Sequence, residues 1–119
     1  MLHIIKTTTE LDNIKSQLSA EIYQTSLNII IRLDNAYGLE RTDEGGVILI
    51  AETIEAIAEI ADLYFPIDNN RHEVVDIIKC KGGDYLNILY VNNNEHTTTV
   101  IIPKSIAPKI ILDEIEGIK

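Results

Sequence analysis

The chain has 119 residues, 45 % apolar and 5 % aromatic, with one cysteine, no tryptophan and a net charge of −9. That length supports one domain with a core of its own, and the lone Cys80 excludes an internal disulfide framework. Apolar runs stop at four or five residues, where a membrane-crossing helix needs ~20, and the negative charge disfavours direct binding to nucleic acid phosphates or anionic lipid.

In chain order, His3–Ile5 reads as a short strand, and the stretch 7–23 places Leu11, Ile14, Leu18 and Ile22 at helical spacing, with Thr9 and Asp12 as a capping box. Residues 26–33 alternate Leu27, Ile29, Ile31 and Leu33 with Ser26, Asn28 and Arg32, a strand pattern. A polar connection from Asp34 to Gly46 follows, carrying Tyr37 and Leu39, and leads to Val47–Ala51, whose unbroken apolar run suits a strand buried on both faces and paired antiparallel across that loop. The second helix begins near Glu52. On a helical wheel Ile54, Ile57, Ala58, Ala61 and Tyr64 gather on one side, and Glu52, Glu55, Glu59 and Asp62 on the opposite edge.

Pro66 ends that helix, and three strands follow as a meander. Residues 73–81 and 84–91 flank a Gly82-Gly83 hairpin turn, Asn92–His96 turns the chain again, and 97–102 is the last strand. Beyond Pro103, Ser105 can cap a final helix with Pro108 in its first turn and Ile111, Ile115 and Ile118 as its apolar stripe. The order β-α-β-β-α-β-β-β-α predicts a single α+β domain over residues 1–119: a mixed or mostly antiparallel sheet of five to six strands with helices packed on it.

Chemical signatures are sparse. His72-Glu-Val-Val-Asp76 resembles the HExxH zinc pattern, but Asp76 replaces the second histidine and the Val-Val pair favours a strand. His72, Val74 and Asp76 would share one strand face with ~13 Å between the end residues, too far for joint ligation. His96 belongs to a polar hairpin loop, and His3 has no partner nearby in sequence. Lys79 and Lys81 flank Cys80, yet in an extended chain they point away from the thiol, which reads as a small core residue. No nucleophile elbow, Walker loop, dinucleotide fingerprint or paired C-x-x-C occurs. The sequence therefore predicts no catalytic residues, no metal and no cofactor.

The informative signal is the distribution of charge. Residues 34–76 hold eleven acids (Asp34, Glu40, Asp43, Glu44, Glu52, Glu55, Glu59, Asp62, Asp68, Glu73, Asp76) against Arg41 and Arg71, so 11 − 2 supplies the whole excess of nine. The acidic stripe of the second helix costs it only about 1 kcal/mol through like-charge pairs, so a solvated face would tolerate it. A merely soluble face could equally carry lysines, and this one has none. The expectation is a small, non-enzymatic, acidic cytoplasmic protein that inhibits a basic protein partner, a toxin or a nucleic-acid-processing protein, in the manner of an immunity protein or a phage inhibitor. Abundant Ile and Asn, as AT-rich codons dictate, agree with a bacterial, phage or mobile-element origin. The partner-binding residues would be Glu52, Glu55, Glu59 and Asp62 with Asp43 and Glu44, and Tyr37 and Leu39 as apolar anchors. Two alternatives are a domain that pairs with itself through sheet edges or its final helix, and a small enzyme using His72 or His96 with a carboxylate.

Overall fold

In the computed structural model, which describes residues 2–41, 46–64, 70–92 and 97–118, the apolar run Val47–Ala51 is strand β2 and is buried at every position. Its alternation serves both sides of the sheet: Val47, Leu49 and Ala51 join one core, and Ile48 and Ile50 the other. β1 (Leu2–Ile5) pairs antiparallel with β2, while β5 (Thr97–Pro103) runs parallel to β2 on its other side. β4 (Tyr85–Asn92) and β3 (Asn70–Ile78) continue antiparallel from β5, giving a five-stranded mixed sheet of order β1-β2-β5-β4-β3. The expected meander of the last three strands is present. The radius of gyration, 13.6 Å, equals the ~13.5 Å of one compact body of this length.

Four helices sandwich the sheet in an α+β fold. α1 (Thr8–Asn13) and α2 (Ala20–Tyr37) cover one face with Leu11, Ile22, Ile29 and Ile30. α3 (Ile54–Tyr64) and α4 (Lys109–Ile118) cover the other with Ala56, Ile57, Ile111 and Ile115. No helix among the described residues is long and apolar enough to cross a membrane.

The largest departure from the sequence reading is residues 26–33, which are the middle of α2 and not a strand. Ile22, Ser26, Ile29 and Ile30 are buried at helical spacing, while Ile31, a member of the supposed strand face, is exposed. Ser19 caps the helix by accepting from the Ile22 amide at 3.3 Å, no Gly or Pro interrupts residues 20–37, and Gly38 ends it at φ 87°. Without that strand, β2 pairs with β1 and β5 instead of across the preceding loop. The same Ser19 cap divides the helix expected over 7–23 into α1, a 3-10 turn at Lys15–Gln17 and α2. The capping box that starts α1 is formed by Thr7 and Glu10, two residues earlier than Thr9 and Asp12. The β3–β4 connection is also longer than a two-residue turn. It runs from Lys79 to Asp84, is closed by the Gly83 amide donating to the Cys80 carbonyl at 3.2 Å, and is spanned by a Lys79–Asp84 ion pair of 3.0 Å. Ser105 lies in a 3-10 turn (Lys104–Ile106), and the carbonyl of Pro108 opens α4 by accepting from Ile111 and Leu112.

One buried cation ties these parts together. Arg41 is 6 % exposed. Its guanidinium donates to the Asp34 carboxylate in the last turns of α2, to the Lys6 carbonyl just after β1, and to the Gly46 carbonyl, at 3.0 Å, just before β2. A Cβ at Gly46 would fall inside the Arg41 side chain, so this site requires glycine. Arg41→Met leaves Asp34 and the Lys6, Gly38 and Gly46 carbonyls without their donor and is expected to lower unfolding free energy by about 3 to 5 kcal/mol in urea titrations; the double variant Arg41→Met/Asp34→Leu should recover part of that loss. Ser26 gives the opposite sign. Its hydroxyl is fully buried without a hydrogen-bond partner, so Ser26→Ala should raise stability by about 1 kcal/mol in the same assay.

Candidate functional site

Three places bring functional side chains together, and the first is α3. Thr53 caps it, its hydroxyl accepting from the Ala56 amide at 3.2 Å and its carbonyl from the Ile57 amide at 3.1 Å. The helix therefore begins at Ile54, and Glu52 stands before it, half-buried. Ala56 and Ile57 face the core. Ile54, expected to point inward, is 67 % exposed, and Ala58 is exposed too. The helix is thus turned by roughly 90° about its axis from the expected orientation. The small Ala56 permits close approach to the sheet, and Ile54 and Ala58 share the outer surface with the exposed Glu55 and Glu59. Asp62 belongs to the same helix, but its side chain, like the whole of Asp43 and Glu44, lies outside the described residues.

Tyr37 and Leu39 are both exposed. Tyr37 is the last residue of α2 and not part of a loop, so the sheet separates it from the acidic residues of α3. Leu39 follows Gly38 just beyond it.

The second place is a polar cluster beneath α4. His72 on β3 stands directly across from Tyr90 on β4, with ring centroids 5.8 Å apart, and its Nε2 lies 2.5 Å from a carboxylate oxygen of Glu114 on α4. The histidine's carboxylate is thus Glu114 and not Asp76. A bulge between Val74 and Asp76 reverses the strand's alternation there, so that Asp76 pairs with Asn87 and faces the α2 side, away from His72 and Val74. No group of three or more metal-ligating side chains occurs among the described residues, and His96 lies outside them. His3 is buried in β1. Cys80 lies just past the end of β3 and is half-buried rather than fully in the core. Its sulfur accepts from the Ser19 hydroxyl at 3.5 Å.

The third place, a groove of about 450 Å³, lies between the second half of α2 and strands β3 to β5. Ile29, Arg32, Leu33 and Tyr37 form its helical wall, and Glu73, Val75, Asn87, Leu89 and Thr99 its sheet wall. Asn87 is 6 % exposed and its Oδ1 has no hydrogen-bond partner. Sequence reasoning missed this groove because it assigned Arg32 to a strand. The helical spacing of Ile22, Ser26, Ile29, Ile30 and Leu33 was the signal that would have placed Arg32 on α2 beside the sheet.

Burial drives the Tyr90 phenol well above its ordinary range, and the Glu114 carboxylate adds to the shift. Tyr85 is raised by burial and, to a lesser extent, by the charge of Glu52. Both tyrosines keep their protons in the folded protein at pH values where the unfolded chain, titrating near ~10, releases them. Their contribution to stability is therefore intact below pH ~10 and is lost as pH rises through their folded-state range. Urea titrations between neutral and strongly alkaline pH should show that decline, and Tyr90→Phe should make it shallower.

No protein-family model, curated protein or solved structure matches this chain.

Proposed function

We propose that this protein is a small acidic binding protein, without catalysis of its own, that inhibits a basic protein partner by covering that partner's active or nucleic-acid-binding surface, as immunity proteins and phage inhibitors do. The outer face of α3 carries this reading: Ile54 and Ala58 form an exposed apolar ridge beside Glu55 and Glu59, with no basic residue in the helix. Among the described residues, neither Glu55 nor Glu59 takes part in an ion pair.

The two kinds of group divide the work. Carboxylates raise the encounter rate with a basic surface and orient it, whereas affinity comes from desolvating apolar residues inside a ring of polar contacts. Burial of Arg41 against Asp34 withdraws one of the acidic segment's two bases, together with one of its eleven acids, into an internal ion pair. The helix is about 16 Å long. That length fits an active site or a short phosphate-binding patch, and the bound helix would exclude substrate sterically.

Charge substitutions separate this function from stability. Glu59→Lys turns a like-charge pair with Glu55 into an attractive one four residues apart, so it should stabilise the fold by about 0.5 to 1 kcal/mol. Glu55→Lys/Glu59→Lys should at the same time weaken binding to a basic partner captured from the host at low salt, by at least about tenfold, and flatten the salt dependence of the affinity. A folded double variant that binds that partner as tightly as the parent protein refutes the proposal.

A further inference from the structure

The two faces of the sheet are not covered alike. α3 and α4 shield one face, while on the other α2 leaves the groove beside β3 and β4 open, with Tyr37 63 % and Val75 51 % exposed along it. Its two walls carry opposite charges, Arg32 on α2 and Glu73 on β3. Both are exposed, and neither forms an ion pair among the described residues. We infer that this groove is a self-association surface, through which two copies of the chain form a two-fold dimer with Arg32 of each copy paired to Glu73 of the other.

Symmetry supplies the argument. In a two-fold interface the same patch meets itself, so it must be complementary to itself. A patch of one sign fails that condition, and most of this strongly acidic chain would fail it. The groove satisfies it: one cation and one anion on facing walls cancel, and a rotated copy sets each opposite its counterpart. Between them Tyr37, Val75, Leu33 and Leu89 supply the apolar surface whose covering would drive association. The exposed acids of α3 lie beyond the sheet, on the far side from this contact, where screening over ~8 Å weakens their mutual repulsion. Association through the edge of β3 is disfavoured by its own geometry, because the bulge at Val74–Asp76 breaks the regular row of backbone donors and acceptors that a second strand would need.

Sedimentation velocity of the full chain over a wide concentration range tests the inference. The parent protein should show a reversible monomer–dimer equilibrium. Arg32→Glu or Glu73→Arg alone, each placing like charges across the axis twice, should weaken the dimer at least about tenfold. The combined variant Arg32→Glu/Glu73→Arg restores opposite charges and should return the dissociation constant to within about threefold of the parent value. Both side chains are exposed, so far-UV circular dichroism should be unchanged throughout. Hydrogen exchange of the unaltered protein offers a second measurement, in which high concentration should add protection to β3 and the C-terminal half of α2. A parent protein that stays monomeric at every concentration overturns the inference, as does a dimer indifferent to the single reversals or not recovered in the combined variant.

Discussion

Arg41 is buried where the chain leaves α2 and starts β2, and its guanidinium binds Asp34, the Lys6 carbonyl and the Gly46 carbonyl at once. Those three acceptors belong to the end of the long helix, the end of the edge strand β1 and the start of β2. A planar group with five donors in fixed directions can satisfy such a set, whereas a lysine ammonium would satisfy it poorly. The cost of burying a cation is offset only because a carboxylate and several carbonyls meet it. Once this junction is set, β2 enters the sheet between β1 and β5 with Val47, Leu49 and Ala51 on one face and Ile48 and Ile50 on the other. Each face then has its own helices.

That division governs how charge reaches the surface. α2 and α3 are consecutive helices, but β2 lies between them and carries the chain through the sheet, so they end on opposite faces. Glu55 and Glu59 are therefore displayed away from the groove beside α2. Within the acidic segment, Arg41 is spent internally on Asp34. Glu52 works differently from its neighbours, since it stands before the helix, half-buried, and its charge acts on the phenol of Tyr85.

Much of the fold was legible where one physical signal dominated. Val47–Ala51 reads as a doubly buried strand because no polar residue interrupts it, and the three-strand meander follows from turn residues between β-branched runs. Residues 26–33 failed because alternation and helical periodicity coincide there: Ile29, Ile30 and Ile31 in succession satisfy either pattern, and strand propensity favoured the wrong one. The Ser19 cap and the absence of Gly and Pro over 20–37 were the better guides. The face that α3 turns inward was not readable either. A wheel shows which residues cluster, but the sheet fixes which edge of the cluster is buried, and here it chose Ala56 and Ile57 over Ile54. Contacts that depend on distant strands, such as Arg41 with Lys6, His72 with Glu114 and the Val75 bulge, left no local trace in the sequence.

The two proposed surfaces make different demands on the same chain. A partner-binding helix gains from charge of one sign, because long-range attraction to an oppositely charged target grows with the number of uncompensated carboxylates. A symmetric contact is weakened by such excess and gains from local neutrality. Placing the two on opposite faces of one sheet satisfies both, since the sheet and its side chains separate the acidic helix from the neutral groove by more than a Debye length at physiological salt. In a two-fold dimer built through the groove, both α3 helices would face outward. Each could meet a separate basic partner, or both could engage one repeating basic surface, and in that second arrangement the linked pair would bind more tightly than either helix alone without any added contact.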